Sequence, residues 1–282
     1  MAVNNKQPVM KDGVRLTGKV PPDRVIDVNP PRPDPKLIRK LARIADLTSS
    51  ISDVLDEMGI ARVIPASVLG PSMPGARVIG SAVTVRNVMQ PVDPYVNASA
   101  RRSRLAEIEG HNLAKPGDVL VIEGVHGVSN MGGISATIGK QVGEAGAVVG
   151  GGVRDLGRSR ALKFPVWSRG PSPITGKWRI ETVLVNGPVH ICGVRVDPGD
   201  LVVADETGVA FIPLAVLPQV VLRALEIEKG EAQRIREIRS GMAIPDLAGR
   251  TYVYHYAGEG EGGAPARTDR STPAAPTPSP RR

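Results

Sequence analysis

Apolar positions recur along most of the chain at two distinct periods, and these predict its elements. Ile51, Val54, Leu55 and Met58 fall on one helical face. The hydroxyls of Thr48, Ser49 and Ser50 precede them as N-cap candidates, and Gly59 follows as a stop. A shorter helix is expected over Leu37–Ala45. Arg77–Asn87 alternates apolar with small or polar residues and reads as a strand. Val92–Gly110 is expected to be helical past Pro94. After a Lys115-Pro116-Gly117-Asp118 turn comes a strand, Val119–Glu123, and Gly132-Gly133 then opens a helix over Ile134–Glu144 that Gly146 ends. Ala147–Val153 (strand), Asp155–Leu162 (helix) and Phe164–Arg169 (strand) complete a β-α-β-α-β rhythm, which favours a parallel or mixed sheet.

The last third changes character. Glu181–Gly187, Val189–Val196, Leu201–Ala204 and Gly208–Ile212 are short strand-like runs. Hairpin and turn signals separate them, Asn186-Gly187 and Asp197-Pro198-Gly199-Asp200 among them. Val216–Ser240 reads as one amphipathic helix. The expected class is α/β: a βαβ core with an antiparallel β element and a C-terminal helix.

The ends lack these patterns. Residues 1–36 hold many prolines and no apolar period, and residues 257–282 are mostly Gly, Pro, Ser, Thr and Ala. Such segments bury too little surface to offset ordering entropy. We therefore expect a poorly ordered arm over 1–36, one α/β domain over 37–256 and a disordered tail over 257–282.

A net charge of +8 invites a nucleic-acid reading. Residues 1–36 carry seven Lys/Arg against four Asp/Glu, however, and the 257–282 tail four Arg against three acids, so the excess is spread thinly over the core. An aromatic content of 3% leaves few rings for base stacking. Nucleic acid is not an expected partner; small anionic substrates suit the balance equally well. With its single cysteine, Cys192, the chain can form no internal disulfide, and Cys192 reads as a buried small hydrophobe in a strand. No apolar run approaches the length of a membrane span. A cytoplasmic protein is expected.

Candidate chemistry centres on Gly150-Gly151-Gly152-Val153-Arg154-Asp155. Past the strand end, Arg154 can clamp a carboxylate or enolate oxygen, and Asp155 can hold a hard cation. Equally, Asp155 can cap the following helix and Arg154 can form a surface pair. A lone carboxylate suits Mg²⁺, which keeps its waters, better than Zn²⁺. The amides of Gly133, Ile134 and Ser135 open a helix and can receive an anion, although Gly132-Gly133 can also be no more than a tight turn. Twenty residues intervene between Gly133 and Arg154, one helix and one strand, enough to bring both loops to one sheet edge. Glu123 ends the neighbouring strand and can stand just outside the metal's ligands. His126 can act as acid or base but is more simply a loop residue. Lys177-Trp178-Arg179 can line an anion pocket or form a surface loop. No GxSxG elbow, P-loop or GxGxxG fingerprint between a strand and a helix is present, which argues against serine hydrolases of that type, NTPases and Rossmann dehydrogenases.

Several of these segments together resemble the RraA-like family, which includes 4-hydroxy-4-methyl-2-oxoglutarate and 4-carboxy-4-hydroxy-2-oxoadipate aldolases. The resemblance runs from about Ile51 to Gly241. It rests on Ser52–Asp56, Lys115–Val121, Gly133 with Arg154-Asp155, Phe164–Gly170, Val196–Asp205 and Gly208-Val209. It implies an αββα sandwich assembled as a homotrimer or hexamer with sites between subunits. It also implies an Arg154 that stabilises a pyruvate enolate, an Asp155 that holds Mg²⁺ or Mn²⁺ largely through water, and helix-start amides near Gly133–Ser135 that receive the pyruvate carboxylate. Two departures stand out. Arg158 occupies a position where the aldolase branch has an acid, beside the metal's surroundings, and Ile134 stands where an acid follows the helix-opening glycine. The implied activity is a metal-dependent carbon–carbon lyase, an aldolase or 2-oxo-diacid decarboxylase; the alternative is a non-catalytic regulator that binds a ribonuclease or other protein.

Overall fold

The structure, a computed structural model, describes residues 10, 13–252 and 254. The chain divides into two compact units between Lys229 and Gly230. In the first, a short helix α1 (Pro35–Leu41) starts at Asp34, whose carboxylate accepts the Lys36 N–H at 2.8 Å, with Pro35 pre-set for the first helical position. Helix α2 (Leu47–Glu57) begins earlier than its hydroxyl cluster suggested. Thr48 lies inside it and gives its N–H to Asp205 at 3.1 Å, so the cap comes from a distant turn. Strands β1 (Val63–Pro65), β2 (Gly70–Pro71) and β3 (Val78–Met89) follow.

The single helix expected over Val92–Gly110 is instead two, α3 (Pro94–Ser99) and α4 (Ile108–Leu113). The break falls where Arg101 adopts a positive φ of 50°, which a helix cannot accommodate. Then come β4 (Val119–Glu123), β5 (Ser129–Met131) and α5 (Gly133–Val142). The run Ala147–Val153 is likewise two strands, β6 (Gly146–Val149) and β7 (Gly152–Val153). Helix α6 (Leu156–Ala161) and strands β8 (Val166–Ser168), β9 (Ile180–Val185), β10 (Val189–Ile191), β11 (Val194–Val196), β12 (Leu201–Ala204) and β13 (Gly208–Ile212) complete the body. Helix α7 (Leu217–Arg239) begins in this unit, where it buries Val220, Val221, Ala224 and Ile227, and the boundary falls within it. In the second unit, α8 (Ile244–Ala248) follows, and Glu237 accepts hydrogen bonds from Arg250 and Tyr252. Cys192 is not in a strand: with Gly193 it forms the turn of the β10–β11 hairpin, both residues at positive φ.

A nine-stranded mixed sheet runs β1-β13-β12-β3-β4-β6-β8-β2, with β9 on β3. The steps β3–β4, β4–β6 and β6–β8 are parallel and the rest antiparallel. Long β3 is the shared strand: Val78–Ser81 pair with β12, whereas Ala82–Arg86 pair with β4. Alternate residues of β3, β4 and β6 then serve two separate cores. Val83, Val85, Leu120, Ile122, Ala147 and Val149 join the cluster that includes Ala136 of α5. Ala82, Val119, Val121 and Val148 join Val202, Ala204 and Phe211 of β12 and β13. Because α2 covers β12 and β13 from outside, the layers run helix, sheet, sheet, helix.

The expectation of a poorly ordered arm is corrected for the part that is described. Leu16, Val20 and Val25 are buried in the first core. Glu109, fully buried on α4, accepts the Thr17 N–H at 3.0 Å, and Arg32 pairs with Asp118 at 2.8 Å. Sparse apolar residues suffice when each enters a site the sheet has already formed. The expected boundary at 256/257 and the tail beyond it lie outside the described residues. Asp118 is almost wholly buried, and truncating its partner strands that charge. Arg32→Ala is expected to cost about 1–3 kcal/mol, read as a lower urea midpoint with an unchanged slope.

Candidate functional site

The site exists because two glycine-bearing loops are stitched together. β5 and β7 form a small parallel pair of their own, Ser129 beside Gly152 and Met131 beside Val153. One residue on, the Arg154 N–H donates to the Met131 carbonyl at 3.2 Å. This places Arg154 and Asp155 directly against the first turn of α5. The approach is close enough that a Cβ on Gly132 would sit 2.8 Å from Asp155 Oδ2 and 3.0 Å from Arg154 Cγ. Only glycine leaves that space.

Asp155 adopts the left-handed conformation, φ 56° and ψ 35°, which costs an aspartate about 1 kcal/mol. The strained turn carries its carboxylate away from its own helix. Asp155 stands at the N-cap position of α6 but makes no side-chain cap there; instead Oδ2 accepts the Gly133 N–H at 3.0 Å and lies 3.5 Å from Arg154 Nε. Oδ1 accepts no hydrogen bond among the described residues. Asp155 therefore does cap a helix, but α5 rather than α6, and the expectation of an open Gly133 amide is corrected. Among the described residues, Ile134 and Ser135 keep their amides unpaired at the positive end of α5.

These groups face one cleft of about 420 Å³. Of the residues singled out in the sequence, Gly133, Ile134, Ser135, Arg154 and Asp155 line it, and so does Lys177 from the Lys177-Trp178-Arg179 run. Glu123 does not: it pairs with Arg86 at 2.8 Å and accepts the His190 N–H. The expectation that Glu123 stands near the metal is corrected, since its carboxylate is committed to Arg86 and the β10 backbone. Arg158 does not line the cleft either. Its stem packs over Gly133, where Cδ would lie 2.6 Å from a Cβ, and the residue faces solvent. His126 is exposed and outside the cleft.

The sequence reading missed Lys19, Glu107 and His111, which also line the cleft. Lys19 belongs to the arm, Glu107 is the N-cap residue of α4 and His111 lies on α4, which the arm braces through Glu109. No local pattern marks them. Burial of its carboxyl pushes Glu107 above the ordinary carboxylate range, although part of the residue meets solvent; a hydrogen bond from its own backbone and the nearby Lys177 and Arg154 cations pull the other way. His111 is buried, with Nδ1 2.8 Å from Glu144 Oε1 and Nε2 2.7 Å from Ser135 Oγ. Among the described residues, no group of three or more His, Cys, Asp or Glu could hold a metal ion. Asp155, with Oδ1 free, and Glu107 are the carboxylates lining the cleft, a sparse oxygen donor set that fits a largely hydrated Mg²⁺ or Mn²⁺ and not a protein-caged ion.

The family described as "RraA-like: Aldolase/RraA" matches residues 48–211. A Halalkalibacterium halodurans protein named "Putative 4-hydroxy-4-methyl-2-oxoglutarate aldolase" is 32% identical over 200 residues, spanning 70% of this chain and 87% of that one. A solved structure of an uncharacterised protein from Pseudomonas syringae pv. tomato superposes with a TM-score of 0.64 at 28% identity, covering 77% of this chain and 99% of the other. Streptomyces coelicolor RraAS2, described as an unusual member of the RNase ES inhibitor RraA protein family, gives 0.57 at 28% identity over 76% and 99%.

A raised folded pKa on Glu107 means the charged form is penalised in the native state. That penalty is absent below the unfolded value of about 4.3, grows as pH rises from there to the raised folded value, and stays at its full size above it. Glu107→Gln is therefore expected to melt higher than the parent protein at neutral pH, with the gap closing below about pH 4. Melting curves across that range check the sign.

Proposed function

Since the chain belongs to the RraA-like family, we propose that it is a divalent-metal-dependent carbon–carbon lyase. It cleaves a 4-hydroxy-2-oxo acid, or decarboxylates a 2-oxo diacid, through a pyruvate enolate. The observation that carries this is the convergence of one guanidinium, one carboxylate with a free oxygen and two unpaired helix-start amides on a single cleft.

Each group has a distinct task. The Ile134 and Ser135 amides, at the positive end of α5, receive the substrate's C1 carboxylate. Arg154 lies beside the C2 oxygen, where negative charge grows as the C3–C4 bond breaks; a cation already in place there stabilises the transition state more than the ground state. Asp155, with Oδ1 free, would hold Mg²⁺ or Mn²⁺ largely through water, and such an ion would supply positive charge to stabilise the developing oxyanion. Its Oδ2 is tied to Gly133, so the carboxylate arrives pre-oriented. Lys19 and Lys177 in the cleft suit the second carboxylate of a diacid and keep the local field positive.

The reading also places the protein in the cytoplasm as a homotrimer or hexamer. No helix among the described residues is long and apolar enough to cross a membrane. The regulator reading draws on RraAS2. A metal-activated lyase and a ribonuclease-binding protein differ in one assay.

Full-length protein with Mg²⁺ and oxaloacetate, or 4-hydroxy-4-methyl-2-oxoglutarate, is expected to release pyruvate, and EDTA to stop it. Asp155→Ala and Arg154→Ala should each lower kcat/KM by about 10²–10³. Undiminished pyruvate release from Asp155→Ala would sink the mechanism; no turnover on any 2-oxo acid would favour the regulator. Light scattering is expected to return three or six times the chain mass of 29.7 kDa.

A further inference from the structure

Ser135, His111 and Glu144 form a connected line in which only Ser135 and His111 reach the cleft. Ser135 sits in the first turn of α5, His111 on α4, and Glu144 just beyond the C-terminus of α5. The helix ends on Gly143 in the left-handed conformation, φ 91°, and the Glu144 N–H turns back to the Gly139 carbonyl at 2.9 Å. That closing turn aims the Glu144 side chain at His111. Both His111 and Glu144 side chains are completely buried, and Ser135 is 4% exposed. A carboxylate only accepts, so His111 donates from Nδ1 to Glu144 Oε1 and accepts at Nε2 from the Ser135 hydroxyl.

Three mutually satisfied polar groups can be mere packing. Two observations point further. Ser135, with His111 behind it, lines the same cleft as Arg154 and Asp155. Glu144 Oε2, by contrast, is buried with no hydrogen-bond partner among the described residues, packed so close over Gly139 that a Cβ added there would lie 2.6 Å from it. An unpaired buried carboxylate oxygen weakens the fold. Apolar residues of similar volume would fill the space at no such cost. What the arrangement does supply is a base whose tautomer and orientation are set by a carboxylate, with a hydroxyl interposed between it and the ligand.

We infer that Ser135, His111 and Glu144 are the acid–base relay of this cleft, moving the proton that enolate chemistry requires. The identity of that proton rests on the lyase reading. When a C3–H of bound pyruvate breaks, its proton passes to Ser135 Oγ as the hydroxyl proton moves to His111 Nε2. The bond's electron pair stays on the enolate, held at Arg154, and Glu144 balances the imidazolium. Running backwards, the relay returns a proton to C3 after a C–C bond has been cleaved. Ser135 thereby has two roles: its amide faces the substrate carboxylate and its hydroxyl the carbon two atoms away.

The test is loss of the pyruvate methyl signal in D₂O, followed by proton NMR with full-length protein and Mg²⁺, alongside calorimetric pyruvate affinity. Ser135→Ala and His111→Gln are expected to slow exchange by about 10²–10⁴ while affinity changes by less than about tenfold. Glu144→Gln, which keeps the shape and removes the charge, should fall between them and the parent. Parent-like exchange in Ser135→Ala, the gentlest change, overturns the relay. Should the parent protein itself exchange nothing, the lyase reading fails instead, and phenylmethylsulfonyl fluoride decides the relay. Attack by Oγ displaces fluoride and sends the hydroxyl proton to His111. Labelling of Ser135 that vanishes in His111→Gln keeps the relay, and no labelling removes it.

Discussion

The Gly133 N–H to Asp155 Oδ2 hydrogen bond is the contact on which the site's geometry turns. It joins the start of one helix to the residue just before the next, across 22 positions of chain. It forms only because the β5–β7 ladder brings Met131 alongside Val153. Everything around it follows from that approach: glycine at 132, a left-handed backbone at Asp155, and a guanidinium placed beside a carboxylate that is already oriented. The local backbone strain at Asp155 is small beside the packing that enforces it. Pre-orientation of this sort matters because charge stabilisation that needs no rearrangement during the reaction is the most effective kind.

Support for the opposite wall of the cleft comes from the other end of the chain. Helix α4 is six residues long and has little stability of its own. Thr17 and Asn112 hold its buried Glu109, and Leu16 and Val20 pack behind it. The segment before α1 is thus a brace for the residues that carry Glu107 and His111, and it supplies Lys19 to the cleft directly. Arg32 plays a similar part at the turn before β4. Buried polar contacts over such sequence separations are expensive to leave unmade, which makes the brace specific as well as stabilising.

The family relatives carry both an aldolase name and a ribonuclease-inhibitor name, and a shared fold does not choose between them. The cleft argues chemically. On the lyase reading proposed above, the buried imidazole beside a carboxylate and the aspartate held in a strained conformation at a helix start are groups fixed before the substrate arrives, on which proton transfer and charge stabilisation both depend.

Periodicity alone placed the strands around Val119–Glu123 and Gly208–Ile212, the helices near 51–58 and 217–239, and the α/β rhythm between them, because burying one face of an element imposes its period on the residues. Local glycines likewise marked both loops of the site, and Arg154 with Asp155 stood out as charges just past a strand. Three matters were left to tertiary structure. Whether Asp155 caps its own helix or another depends on a backbone torsion that only the β5–β7 contact enforces. Glu123 sits at a strand end as expected, yet Arg86 from the adjoining strand claims it. His111 and Glu144 lie 33 residues apart and belong to no motif; they meet because α4 packs on α5. Sequence records the periods and the chemistry available, and long-range packing decides which polar groups become partners, since a side chain's partner is set by distance in space and not along the chain.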